Sequence, residues 1–115
     1  MGLWVLGTDT DVGKTVTSAL ILQRYADSGS VAYWKPISTV GDDDRDRTTV
    51  SALVGPSVTI LAETYIFEPP VSPHLAARLA NVRIDPEAIL ADLVEHAMSD
   101  DDRVLLIESA GGVLV

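Results

Sequence analysis

Cysteine is absent from this sequence, which excludes a disulfide framework, a thiol nucleophile and any thiolate metal site. Lysine is nearly as scarce. There are two lysines against six arginines, and both, Lys14 and Lys35, fall inside candidate site motifs. Lysine used for solubility would be scattered, so these two look specifically required. No segment approaches the ~18 to 20 consecutive apolar residues of a membrane span. The first residues hold no basic region followed by an apolar stretch and a small-residue cleavage site, so a cytoplasmic location is expected. Positive charge is also in deficit: the formal net charge is −9, with 17 acidic residues against 8 Lys and Arg. Such a field repels phosphate backbones and anionic lipid, so neither nucleic acid nor membrane is expected as a partner. Much of the acidic excess sits in Asp42-Asp43-Asp44 and Asp100-Asp101-Asp102, which read as solvated loops.

What remains is a chain of 115 residues that is 47% hydrophobic, enough for one globular domain spanning 1–115. Its most informative stretch is Thr8 to Thr15, TDTDVGKT, after the apolar run Leu3-Trp4-Val5-Leu6 and Gly7. Binding phosphate takes a concave row of backbone N–H donors, a helix N-terminus, a lysine ammonium and a hydroxyl facing Mg²⁺. Gly13, Lys14 and Thr15 supply the end of that set in order. The pattern G-x-x-x-x-G-K-[ST] fails by one residue, because its first glycine stands at position 7 and Thr8 occupies the required place. The bland alternative is a Gly-Lys-Thr turn that opens an ordinary helix.

Context favours a phosphate loop of variant form. An amphipathic helix follows, with Val16, Leu20, Ile21 and Tyr25 spaced for one face and Gly29 as its C-terminal glycine cap. Val31-Ala32-Tyr33-Trp34 then starts a second strand, which Lys35-Pro36 leaves. A loop from Gly41 to Asp46 and a short helix from about Arg47 to Val54 are expected, with Gly55-Pro56 as the breaker. Thr64 to Phe67 reads as a third short strand. Ser72-Pro73 and Asp85-Pro86 each read as a polar N-cap followed by proline at the first helical position. The second of these helices places Ile89, Leu90, Leu93, Val94 and Ala97 on an apolar face and ends near Ser99, leaving His96 toward solvent. Arg103 to Glu108 is an apolar strand ending in a carboxylate, as a central parallel strand covered on both faces requires. Trp4 and Trp34 sit in strands and are expected to pack in the core or on the sheet rather than to stack on a substrate.

Strands alternating with helices predict an α/β, doubly wound, mostly parallel sheet of the P-loop NTPase type, with its sites beyond the carboxyl ends of the strands. Three such ends carry chemistry: Gly7 to Thr15, Lys35 to Thr39, and Glu108 to Gly112. The chain stops on an apolar tail after a Gly-Gly loop, which suggests the N-terminal half of a longer protein.

Four blocks, GTDTDVGKT at 7 to 15, YWKPIST at 33 to 39, PPVSPH at 69 to 74 and IESAGG at 107 to 112, together resemble the dethiobiotin synthetases. The resemblance implies a homodimeric, ATP- and Mg²⁺-dependent ligase of biotin synthesis that joins CO₂ to 7,8-diaminononanoate. It makes Asp11, Val12, Gly13, Lys14, Thr15 and Val16 the phosphate loop, and brings Glu108, Ser109, Ala110 and Gly111 to the nucleotide. Lys14 serves the terminal phosphates and Lys35 the substrate carbamate, the two catalytic assignments. Thr39, Ser72 and Pro73 fall on the substrate side, and His74 need not take part. Thr15 and Glu108 become Mg²⁺ ligands with a loop aspartate, where Asp46 is favoured over Asp44 among Asp42, Asp43, Asp44 and Asp46. Ser109 replaces a glycine usual in the family; a positive φ there would strain it by ~1 to 2 kcal/mol. The competing class is a deviant phosphate-loop switch ATPase of the partitioning or cell-division type, whose signature lysine is absent at Asp9, or an inactive nucleotide-binding remnant.

Overall fold

A computed structural model describes residues 2–6, 13–27, 29–38, 45–67, 71–98 and 102–110, with the side chains of 45–48 outside that description. Among these residues the order is β1 (Gly2–Val5), α1 (Lys14–Ala26), β2 (Val31–Trp34), β3 (Ile37–Ser38), α2 (Arg45–Val54), β4 (Val58–Ile60), β5 (Tyr65–Ile66), α3 (Pro73–Leu79), α4 (Pro86–Met98) and β6 (Val104–Glu108). The four strands β1-β6-β2-β4 form one parallel sheet in that spatial order. Thus the last strand in sequence lies between the first two, with Val5 opposite Glu108 on one side and Trp34 opposite Ile107 on the other.

Side-chain alternation along the strands divides the core into two layers, as it must for a sheet covered on both faces. Val31, Tyr33 and Leu106 face Leu22 of α1 and Val50 of α2. Ala32, Trp34, Leu105 and Ile107 face the opposite way and pack with Ile89 and Leu93 of α4. The doubly wound α/β architecture expected from the sequence is therefore present. A third cluster joins Phe67, Ala76 and Ala77 to Ile37 and Tyr65, seating α3 on the small sheet made by β3 and β5. No described helix is long and apolar enough to cross a membrane. Leu22 is fully buried between α1 and the sheet, so Leu22→Ala should cost about 2–5 kcal/mol. A shift of the denaturant midpoint reads that loss, and an unchanged midpoint would mean that α1 does not pack as described.

Several local expectations are corrected. Helix α1 does not bury Val16 and Leu20, which stand exposed; its inward stripe is Ser18, Ala19 and Leu22, flanked by Ile21 and Tyr25. The small residues Ser18 and Ala19 let the helix approach the strands. Gly29 is not a left-handed cap, since α1 ends on Asp27 in the right-handed region; Gly55 takes that role after α2, with φ 74°. Strand β4 went unexpected because Val58-Thr59-Ile60 is so short, yet it pairs with β2. The run from Thr64 yields only Tyr65–Ile66, which pairs with β3 outside the main sheet. Trp4 is 62% exposed: it faces away from the α1 side on an edge strand, outside the cluster that α4 covers. Trp34 is buried as expected, and its indole N–H donates to the Ala62 carbonyl at 3.0 Å. His96 is half-buried rather than solvent-facing, its ring edge-on to Trp34 with centroids 5.0 Å apart. Leu90, Val94 and Ala97 of α4 are exposed.

Candidate functional site

Gly13 adopts φ 96°, ψ 18° as the N-cap of α1, a left-handed conformation that glycine enters without a Cβ penalty. That turn lets the chain pass from the loop into the helix, and the Thr17 amide closes the first turn on the Gly13 carbonyl at 2.9 Å. Lys14 and Thr15 follow at once, half-buried at the positive end of the helix dipole. This is the geometry in which a GKT sequence presents a cation and a hydroxyl to an anion.

Glu108 ends β6 with 1% exposure, the most deeply buried charged side chain among the described residues. A carboxylate there must be hydrogen-bonded to be tolerated, and three hydroxyls supply the bonds. Thr15 Oγ1 donates to Oε1 at 3.1 Å, and Tyr33 Oη donates to Oε2 at 2.8 Å. Ser18 Oγ approaches the same Oε2 at 3.2 Å while it also donates to the Lys14 carbonyl at 2.8 Å. The start of α1, the end of β2 and the end of β6 thereby meet at one carboxylate.

Lys35 follows β2 directly and is buried, with 8% exposure, unlike a lysine that serves only solubility. Trp34 pairs with Ile107, so the next residues on the two strands, Lys35 and Glu108, stand in neighbouring rows at the same sheet edge. The backbone after Lys35 is pinned, because the Pro36 carbonyl accepts from the Thr64 and Tyr65 amides at 2.8 and 3.0 Å. Ser38 is buried in β3, and the Phe67 amide donates to its carbonyl at 2.7 Å. Ser72 and Pro73 begin α3, which packs on the β3–β5 unit. The Ser72 hydroxyl makes no capping bond to the helix; its carbonyl accepts the Ala76 amide at 2.9 Å instead. Asp85 does cap, its Oδ1 accepting the Glu87 amide at 2.9 Å.

Ser109 lies outside the positive-φ region, where Asn81 is the non-glycine residue among those described, so the serine carries no left-handed strain. Its amide donates to the Val5 carbonyl at 3.1 Å, and it continues into Ala110 half-buried. Asp11, Val12, Thr39, Asp42, Asp43, Asp44 and Gly111 fall outside the described residues, as does the side chain of Asp46. Sequence reasoning missed Ser18 and Tyr33. Both carried a signal: Ser18 stands three residues after Thr15, one helical turn along the same face, and Tyr33 puts a hydroxyl into a strand buried on both sides.

The donor set suits a small hard cation. Thr15 Oγ1 and Glu108 Oε1 are both oxygens, 3.1 Å apart, close to the ~2.9 Å edge of an octahedron with arms of ~2.0–2.1 Å, the Mg²⁺ geometry. No group of three or more His, Cys, Asp or Glu side chains able to hold a metal occurs among the described residues.

A family model described as AAA domain matches residues 1–115. The ATP-dependent dethiobiotin synthetase BioD of Rhodopseudomonas palustris (strain BisB5) is 44% identical over 112 residues, covering 96% of this chain and 48% of the relative. Its namesake from Afipia carboxidovorans is 45% identical over 114 residues, 98% of this chain and 50% of the relative. That of Leptospira interrogans is 39% identical and covers 100% of this chain and 50% of its own length. The chain spans about half the length of the curated relatives it matches. A glycine turned left-handed ahead of Lys14-Thr15, at the carboxyl edge of a parallel sheet, is the structural counterpart of that match, and the chain belongs to the AAA domain family.

Proposed function

We propose that this chain is the nucleotide-binding part of an ATP- and Mg²⁺-dependent ligase that makes dethiobiotin from 7,8-diaminononanoate and CO₂. The observation that carries the reading is the contact of Thr15 with Glu108 at the end of β6, with buried Lys35 directly after the neighbouring strand β2, supported by the similarity to the synthetases. ATP lies along the loop before α1, with Lys14 neutralising its terminal phosphates. Mg²⁺, held by Thr15 and Glu108 with Asp46 as the further acidic ligand, supplies charge neutralisation on the phosphates.

Lys35 serves the other substrate. One amine of the diamine adds to CO₂, forming an N–C bond and, on losing a proton, a carbamate. The Lys35 ammonium holds that anion and orients one of its oxygens toward the γ-phosphorus. Attack there forms a carbamic–phosphoric anhydride and breaks the bond to ADP. The second amine then attacks the carbamoyl carbon, expels phosphate and closes the ureido ring. Thr39 and the start of α3, Ser72-Pro73, complete the substrate side, and Ser109 to Gly111 line the nucleotide. The same reading makes the whole protein a cytoplasmic homodimer with no affinity for nucleic acid or membrane.

The test is ADP release by the full gene product with ATP and Mg²⁺. Diaminononanoate and bicarbonate together should raise the rate at least about tenfold above either alone, and chelation by EDTA should abolish the rise. Release indifferent to both substrates would sink the proposal.

A further inference from the structure

We infer that Tyr33 is a positioning residue, assisted by Ser18, that turns the Glu108 carboxylate so that only Oε1 is offered to the cation. This rests on the phosphate and metal reading above and adds to it a specificity device. The two oxygens of Glu108 are treated differently. Oε2 points back into the core and receives Tyr33 Oη at 2.8 Å and Ser18 Oγ at 3.2 Å. Oε1 is the one beside Thr15 Oγ1.

The two donors to Oε2 are unequal. Ser18 has one hydroxyl proton, and its shorter contact is with the Lys14 carbonyl at 2.8 Å, the back-bond typical of serine inside a helix. The phenol is therefore the principal anchor. It is also the better placed, since Tyr33 is 1% exposed and its ring is clamped in the core between α1 and the sheet. A carboxylate with one oxygen tied down in this way coordinates through the other alone. Mg²⁺ accepts a single oxygen from each carboxylate readily, whereas Ca²⁺ takes a larger, looser shell that often includes both. Tying down Oε2 thus favours the smaller ion. Tyr33 also precedes Lys35 by two residues, and Lys35 directly follows β2, so a single element sets the metal carboxylate and leads into the substrate lysine.

The hydroxyl can be removed with little change of shape by Tyr33→Phe. The readout is calorimetric affinity for a nonhydrolysable ATP analogue in EDTA, in Mg²⁺ and in Ca²⁺. By linkage, the metal's tightening of nucleotide equals the nucleotide's tightening of metal. For the unaltered chain Mg²⁺ should tighten binding more than Ca²⁺ does. In Tyr33→Phe the Mg²⁺ enhancement should fall about tenfold, the usual scale for loss of a residue that orients a metal ligand. The enhancement by Ca²⁺ and the affinity in EDTA should stay within about twofold, a pattern that general loosening of the fold does not produce. Ser18→Ala, a smaller change in the helix, should show the same pattern at lower amplitude and stands in if Tyr33→Phe fails to fold by circular dichroism. An unchanged Mg²⁺ enhancement in a folded variant, or equal weakening with and without metal, overturns the inference while leaving the phosphate site intact. No metal enhancement in the unaltered chain overturns both.

Discussion

Lys35→Ala in the full gene product is expected to reduce turnover by at least about 10³-fold while nucleotide affinity changes by less than about twofold. The split follows from where the residue stands. Lys35 directly follows β2, which β6 separates from β1, and the main-chain bonds on Pro36 that hold its backbone survive the substitution. The lost ammonium is the charge proposed to hold the carbamate, and removing one preorganised donor of developing negative charge ordinarily costs ~10²–10³ in rate even when the donor is neutral. Single-turnover formation of dethiobiotin measures the first quantity and calorimetry with an ATP analogue the second. A variant that binds nucleotide and turns over at the normal rate would remove Lys35 from the chemistry.

Lys14→Ala should have the reverse signature, with the binding step itself failing. A charge-assisted bond is worth about 1.5–3 kcal/mol, and the ammonium's wider neutralisation of the triphosphate adds to it, so affinity should fall by about 100-fold or more. The fold should persist, because Lys14 begins α1 half-buried and the helix is held by Ala19 and Leu22 further along. Calorimetric titration alongside a thermal melt separates the two effects. Unaltered ATP-analogue binding would contradict the cradle assignment.

The settings of these two lysines were legible because each is marked by local grammar: a glycine before a helix, a strand end before proline. Glu108 was readable for the same reason, a carboxylate closing an apolar run. The features that were not readable depend on tertiary contacts. Apolar residues occur on more than one side of α1, so spacing alone could not choose between the stripe of Val16 and Leu20 and the stripe of Ser18, Ala19 and Leu22. The buried stripe is the one with tertiary partners: Leu22 joins the core beneath the sheet, and Ser18 reaches Glu108, ninety residues beyond it in sequence. Likewise β5 pairs with β3 instead of extending the main sheet, and nothing in the letters Thr64 to Phe67 distinguishes these outcomes. Trp4 shows the limit of reading a large aromatic as core when its strand lies at an edge.

The position of β6 has a kinetic consequence. Its register joins Gly2 to Leu105 and Val31 to Val104, so β1 and β2, which emerge early from the ribosome, have no direct partner in each other. Loops of about a hundred residues for β1 and about seventy for β2 must close before their pairings with β6 are rewarded. The phosphate-loop helix therefore spends much of synthesis tethered to an unfinished sheet, its inner face open. Only when the strand bearing Glu108 slots between its two neighbours do the cradle, the carboxylate and the lysine come into being together.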